Sequence, residues 1–224
     1  RVSRFSDSEV GCGTTSAGKV VDENTNAIDE AIQDTISSGG NYLSLPSGTY
    51  LTNKLVIPTG FTIKGNGKNT IIKRQFFAND GDGNLVGIGT TVGKDITLQD
   101  FTLDGNNANN IRYGETTAAR NAYLAYLPSV TSVAMRSVEI RNSSEHGLWV
   151  QGSTRLSITD CDIVDGSLTD RFEYSPINAQ GSQVLRIHDS LFENYPAAVD
   201  VSATEVTSTG GNIIRNCGSG IKVF

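Results

Sequence analysis

Four apolar stretches of this chain share one set of offsets, and that repeat constrains the fold more than any other feature. Val133, Met135, Val138 and Ile140 stand nine, seven, four and two residues before Asn142. The same offsets give Leu156, Ile158, Cys161 and Ile163 before Asp165; Leu185, Ile187, Ser190 and Phe192 before Asn194; and Ile96, Leu98, Phe101 and Leu103 before Gly105. Asn216 offers a worn copy with Asn212 and Ile214. The pattern reads in-out-in, corner, in-out-in, and then a residue tolerant of a corner.

The anchors are separated by 37, 23, 29 and 22 residues. A unit of about 22 residues bounded by Asn, Asp or Gly suits a coil of short strands stacked on the coil before it. Asn, Asp and Gly accept a left-handed corner at little cost. After three anchors comes another apolar alternation, Leu148 and Val150, Val199 and Val201, Ile221 and Val223, predicting a second strand per coil. An antiparallel sandwich explains the density of strands but not the shared offsets. The expected fold is all-β: a right-handed, single-stranded parallel β-helix in which Ile140, Ile163 and Phe192 form one inward column.

One helix interrupts this pattern. In "DENTNAIDEAIQDTISSGG", Ala27, Ile28, Ala31, Ile32 and Ile36 recur at helical spacing, Asn24 or Thr25 can cap the start, and Gly39 and Gly40 stop it. An N-terminal capping helix over 25–38 closes the open end of the stack with Ile28, Ile32 and Ile36, because bare strand edges invite pairing with other chains. Residues 1–21 read as a linker or extended segment and 22–224 as the β-helix domain. The final "GIKVF" falls in mid-coil, so a fragment of a longer fibrous protein is expected.

Composition removes several function classes. With 18 Lys+Arg against 24 Asp+Glu, the chain lacks the positive field that draws a nucleic-acid backbone. No run approaches the ~18 apolar residues of a membrane span, so no membrane insertion is expected. Cys12, Cys161 and Cys217 are too few and too scattered for a disulfide framework or a zinc site. "GNGKN" at 65–69 lacks the Lys-Ser/Thr of a phosphate loop and reads as a turn. "NDGDGN" at 79–84 alternates carboxylates like part of a calcium loop but has no closing Glu, so a polar turn is expected. No cofactor or metal is predicted.

The segment from "VVDENTNAIDEAIQDTISSGGNYLSLPSGTYL" through "IKGNGKNTIIKR" to "ITLQDFTLDGNN" resembles the N-terminal part of the pectate-lyase-like superfamily. That superfamily includes phage tailspike and tail-fibre proteins, polysaccharide lyases and hydrolases, and mannuronan epimerases. The resemblance implies a helix-capped β-helix and a polysaccharide ligand. Several signatures of its enzymes are missing. "SSEHGLWVQGS" stands where the epimerases carry Asp-Pro-His, and only Glu145-His146-Gly147 and Gly220-Ile221-Lys222 approach the polygalacturonase motifs. The clustered Asp ligands and Arg base of the calcium-dependent lyases have no counterpart. The resemblance therefore implies a structural β-helix protein of a phage tail, baseplate or fibre, virion-borne or extracellular, acting as a homotrimer or with other virion proteins. A polysaccharide lyase, hydrolase or epimerase is the alternative.

Candidate site residues come from the outward positions. Glu139 and Asp162 share one offset on adjacent coils, roughly 4.8 Å apart, near the roughly 5–5.5 Å of a retaining glycosidase pair. Two solvated acids, one beside Arg141, are the plainer alternative. His188 projects beside Arg186, and His146 sits at a corner; both read first as surface residues. The longest departure from the repeat, 106–129, holds Arg112, Tyr113, Tyr123 and Tyr126 among several Asn. Insertions of a solenoid gather on one face, often the binding face. Aromatic planes with amides suit sugar rings, although the tyrosines could equally pack the insertion down.

Overall fold

The computed structural model describes residues 13–14, 20–21, 23–52, 55–74, 86–88, 95–106, 124–143, 146–166, 175–197, 199–218 and 220–223. Beyond a two-stranded antiparallel pair, Gly13–Thr14 with Val20–Val21, seventeen strands join one hydrogen-bonded system. Every pairing within it is parallel. Each coil pairs with the next rather than with itself. The fold is a right-handed parallel β-helix with an N-terminal helix.

The repeat offsets are the register. Val133 faces Ile96 and Leu156, Met135 faces Leu98 and Ile158, and Ile140 faces Leu103 and Ile163. Ile163 in turn faces Phe192. All are buried, so the inward column stands as expected.

Each coil has three sides rather than two. The first face holds Tyr42–Ser44, Thr62–Lys64, Arg155–Thr159 and their equivalents; the second holds Gly48–Thr52, Thr70–Arg74, Asp162–Val164 and Leu191–Glu193. The third holds Leu55–Ile57, Val86–Ile88, Ala125–Pro128, Leu148–Gln151 and the start of Ile177–His188 and Val199–Thr209. What reads in sequence as one strand with a corner is two faces. The chain bends between them at Asp100, Ser137, Asp160 and Asp189, all with positive φ. Each stands five residues before its anchor.

The anchors form the next corner. Asn142, Asp165, Asn194 and Asn216 are left-handed, with φ between 52° and 60° across the set. Their side chains bond from coil to coil: Asn194 Nδ2 donates to Asp165 Oδ1 at 2.7 Å, and Asn216 Nδ2 to Asn194 Oδ1 at 3.2 Å. Gly105 departs from this rule. The left-handed residue there is Asn106, φ 52°. Gly105 is glycine because a Cβ would stand 2.2 Å from the Asn142 carbonyl oxygen.

The helix runs Glu23–Ser37, so Asn24 and Thr25 lie inside its first turn rather than capping it. Ile28 and Ile32 are buried in the core, but Ile36 is 41% exposed. The stripe therefore covers the stack for two turns and then leaves it. Gly39, φ 78°, ends the helix in the left-handed conformation that favours glycine. Cys161 and Cys217 are free thiols, and burial pushes the Cys161 thiol up to about 11. Cys12 and the 79–84 turn lie outside the described residues. Among the described residues no helix is long and apolar enough to cross a membrane.

Candidate functional site

Outward side chains on neighbouring coils form columns, and two of these columns hold nearly all the chemistry. On the second face Glu139 is in register with Asp162, the neighbour relation read from the sequence. Both carboxylates are occupied. Lys68, carried by the Gly65–Asn69 turn, bonds Asp162 Oδ2 and lies 3.5 Å from Glu139 Oε2. Arg141 donates from Nη1 to Glu139 Oε1 at 2.9 Å and from Nε to Asp104 Oδ2 at 3.0 Å. Asn142 completes the set by donating to Asp104 Oδ1 at 3.1 Å.

The result is a chain of alternating charge that begins and ends in an acid: Asp104, Arg141, Glu139, Lys68, Asp162. The Lys68 ammonium is held above its ordinary value, chiefly by its bond to Asp162. A glycosidase acid must carry a removable proton beside its substrate. Here each carboxylate is already paired with a cation of the fold. His188, the third catalytic candidate, is on the first face, half exposed, with Nδ1 2.9 Å from Asp189 Oδ2. The structure does not bring it to the Glu139–Asp162 pair, since the two stand on different sides of the coil.

The third face is built differently. Its outward column runs Tyr126, Trp149, Asn178, Asp200, each in register with the next. Beside it run Gln151, Gln180 and Ser202, all exposed. Tyr126 is half-buried and its hydroxyl lies 3.4 Å from Gln151 Oε1. Arg112, Tyr113 and Tyr123 lie outside the described residues.

Trp149 was not legible as a site residue from the repeat. The signal was present: it stands between Leu148 and Val150, whose inward alternation forces the residue between them outward. Two ring edges hold the indole in place, Tyr126 at 6.0 Å and 75°, and His146 at 5.6 Å and 73°. Gly147, just before this strand, has no room for a side chain. A Cβ there would meet Ile163 Cγ2 at 2.9 Å and the Tyr195 hydroxyl at 3.0 Å. That hydroxyl is itself buried against Ser143 Oγ at 2.7 Å.

His146 is not a surface residue. It is 6% exposed, behind Trp149. The Ser175 N–H donates to its Nδ1 at 3.0 Å, which requires the lone pair and so puts the proton on Nε2. Burial pushes the imidazole down to about 4, against the opposite pull of the Ser175 carbonyl 3.3 Å away. A neutral His146 is therefore a fixed support for the tryptophan.

Below Trp149 on the column, Asn178, Gln180, Asp200, Val201 and Ser202 line a cavity of about 350 Å³. That volume falls within the size range of small-ligand pockets. Asn178 is 8% exposed, and its Oδ1 has no hydrogen-bond partner among the described residues. Two rings followed by amides, a hydroxyl and a carboxylate can stack a sugar and bond its hydroxyls. No group of three or more His, Cys, Asp or Glu suited to a metal occurs among the described residues.

Comparison with known proteins agrees with this architecture. A family described as Rhamnogalacturonase A/epimerase, pectate lyase-like, matches residues 16–222. No curated protein matches the chain. Among solved structures, a protein of Parabacteroides merdae named as a glycosyl hydrolase superimposes with TM-score 0.58 at 14% identity, covering 95% of each chain. ORF18 of Geobacillus virus E2 superimposes with TM-score 0.53 at 18% identity. It covers 87% of this chain, which spans only 38% of the viral one. At these identities the two structures show the shared fold.

Proposed function

Because the chain belongs to the rhamnogalacturonase A/epimerase, pectate lyase-like family, we propose that it is a polysaccharide-contacting arm of a phage tail, baseplate or fibre, with the third face as its contact surface. The observation that carries this reading is the column of Tyr126, Trp149, Asn178 and Asp200, the last two of which line the cavity. Successive coils lie about 4.8 Å apart, so an extended glycan lying along the stack meets one outward side chain per coil. Trp149 is already clamped by two ring edges, and little ordering is lost when a sugar stacks on it.

The Geobacillus virus product with this fold supports a phage setting, virion-borne or extracellular. A homotrimer, or partnership with other virion proteins, belongs to the same proposal. The ion network at Glu139 and Asp162 supports contact without cleavage.

A second reading, a polysaccharide lyase, hydrolase or epimerase, is favoured by the family's own description. One experiment separates the two. The chain is incubated with a panel of polysaccharides; reducing ends and unsaturated uronates are assayed, and binding is followed by affinity electrophoresis. Retardation without new ends, abolished by Trp149→Ala, is expected. New ends from any polymer would establish the second reading, and no retardation by any polymer would remove the first.

A further inference from the structure

We propose that the third face selects a neutral glycan and rejects uronate polymers, an inference that rests on the reading of this face as the polysaccharide contact. It follows from which groups the face offers and where the cations of the fold are spent. The four third-face strand segments between Ala125 and Ser202 contain no lysine or arginine. Their outward residues are two aromatics, a proline, three amides, a serine and one carboxylate, Asp200. The next register position on the column after Asp200 is Lys222, beyond the segments that line the cavity.

Three cations on the adjoining second face are committed. Lys68 is bonded to Asp162, Arg141 to Asp104 and Glu139, and Arg215 to Glu193 at 2.7 Å. A uronate placed over the cavity would find no guanidinium fork to pair with and would approach the Asp200 carboxylate. Like charges at close range disfavour binding by amounts that specificity can use. A neutral sugar meets the opposite situation. Its hydroxyls donate to carboxylate and amide oxygens and accept from amide N–H groups, the inventory that Asp200, Asn178 and Gln180 supply.

Asn178 adds an independent pointer. A buried amide oxygen with no partner carries a desolvation cost that an apolar residue at the same place would avoid. Its terminal torsion is soft and roughly two-fold, so a half-turn presents either acceptor or donors to a hydroxyl in the cavity. The position is built for a ligand with both kinds of group, which a neutral polyol is.

The test measures binding of the full chain to galactan and mannan as neutral probes, and to polygalacturonate and alginate as uronate probes, at low and high salt. Retardation by a neutral probe, at least tenfold stronger than by either uronate at low salt, is expected. Asp200→Asn, which keeps shape and removes charge, should narrow that gap at least threefold by admitting uronates. Gln180→Ala, at an exposed position where folding is safe, should weaken neutral binding severalfold. Uronate binding equal to or stronger than neutral binding, lost with Trp149→Ala, overturns the neutral preference while leaving the third face as the contact. Absence of binding to all four probes overturns the contact reading and this inference with it. An unchanged uronate gap in a folded Asp200→Asn protein would also overturn it.

Discussion

The second and third faces follow the same column arithmetic and hold opposite chemistry. On the second, three acids and two bases over three coils and a turn pair with one another: Asp104 with Arg141, Arg141 with Glu139, and Lys68 with Glu139 and Asp162. On the third, amides, a serine and a carboxylate border a cavity next to two rings on the same column, and one buried amide oxygen is left without a partner among the described residues. A face whose polar groups satisfy one another contributes to the wall. One that sets amides and a carboxylate beside a cavity is the face on which the glycan contact is proposed. Proximity of two carboxylates is thus a weak sign of chemistry until their partners are known.

The largest expected effect would break the comparison by striking what both faces share. Ile163 lies in the column beneath the second face, yet it also lies against Gly147, directly before the third-face strand. Truncating a buried Ile typically costs about 2–5 kcal/mol. Ile163→Ala should therefore lower the denaturation midpoint and weaken glycan retardation in one transition. Equal stability would mean that the column is not the packed core; loss of binding with a midpoint unchanged would mean that Ile163 serves the third face alone.

That column was readable from sequence because its residues are apolar at fixed offsets, and burial enforces the same choice on every coil. The handedness of the corners was readable for a related reason: among the described residues every non-glycine with positive φ is Asp, Asn or Ser. Three features escaped. Gly105 shares the anchor composition but answers to a close carbonyl, which leaves the same letter in the sequence as a left-handed turn. Ile36 keeps the helical period but lies beyond the rim of the coil it should cover. His146 occurs once, at a corner, and a residue without a periodic partner gives no hint of its burial.

His146 also supplies the next effect, which sharpens the comparison by asking for acid sensitivity behind the third face. With its folded-state value lowered to about 4 from an ordinary 6.5, the unfolded chain binds the proton first. Stability is therefore unaffected above about pH 6.5 and falls as pH drops toward 4. At ~1.4 kcal/mol per unit, the loss on full protonation is on the order of 3 kcal/mol. Urea midpoints between pH 7 and pH 4 should fall in the wild-type chain and fall less in a folded His146→Gln protein. Tryptophan fluorescence should follow the same curve, because Trp149 is the only Trp in the chain and packs on the imidazole. An identical pH slope in both proteins would assign the acid sensitivity to other groups.

The smallest expected effect is at the most enzyme-like pair. Glu139→Gln and Asp162→Asn each remove one charge from the network and leave its shape. Lys68 is largely exposed, and exposed ion pairs contribute about 0–1 kcal/mol, less as salt screens them. Either change should shift the midpoint by less than about 1 kcal/mol at low salt, and the shift should shrink at high salt. Glycan retardation should stay within about twofold of wild type, because the third face gains and loses nothing. The opposite pattern is equally specific. If the pair held a reacting sugar, either substitution would cost orders of magnitude in turnover with affinity nearly kept. If it held a bound one, affinity would fall while no turnover existed to lose. Both outcomes would move the ligand to the second face, and the cavity beneath Trp149 would then be a feature of packing.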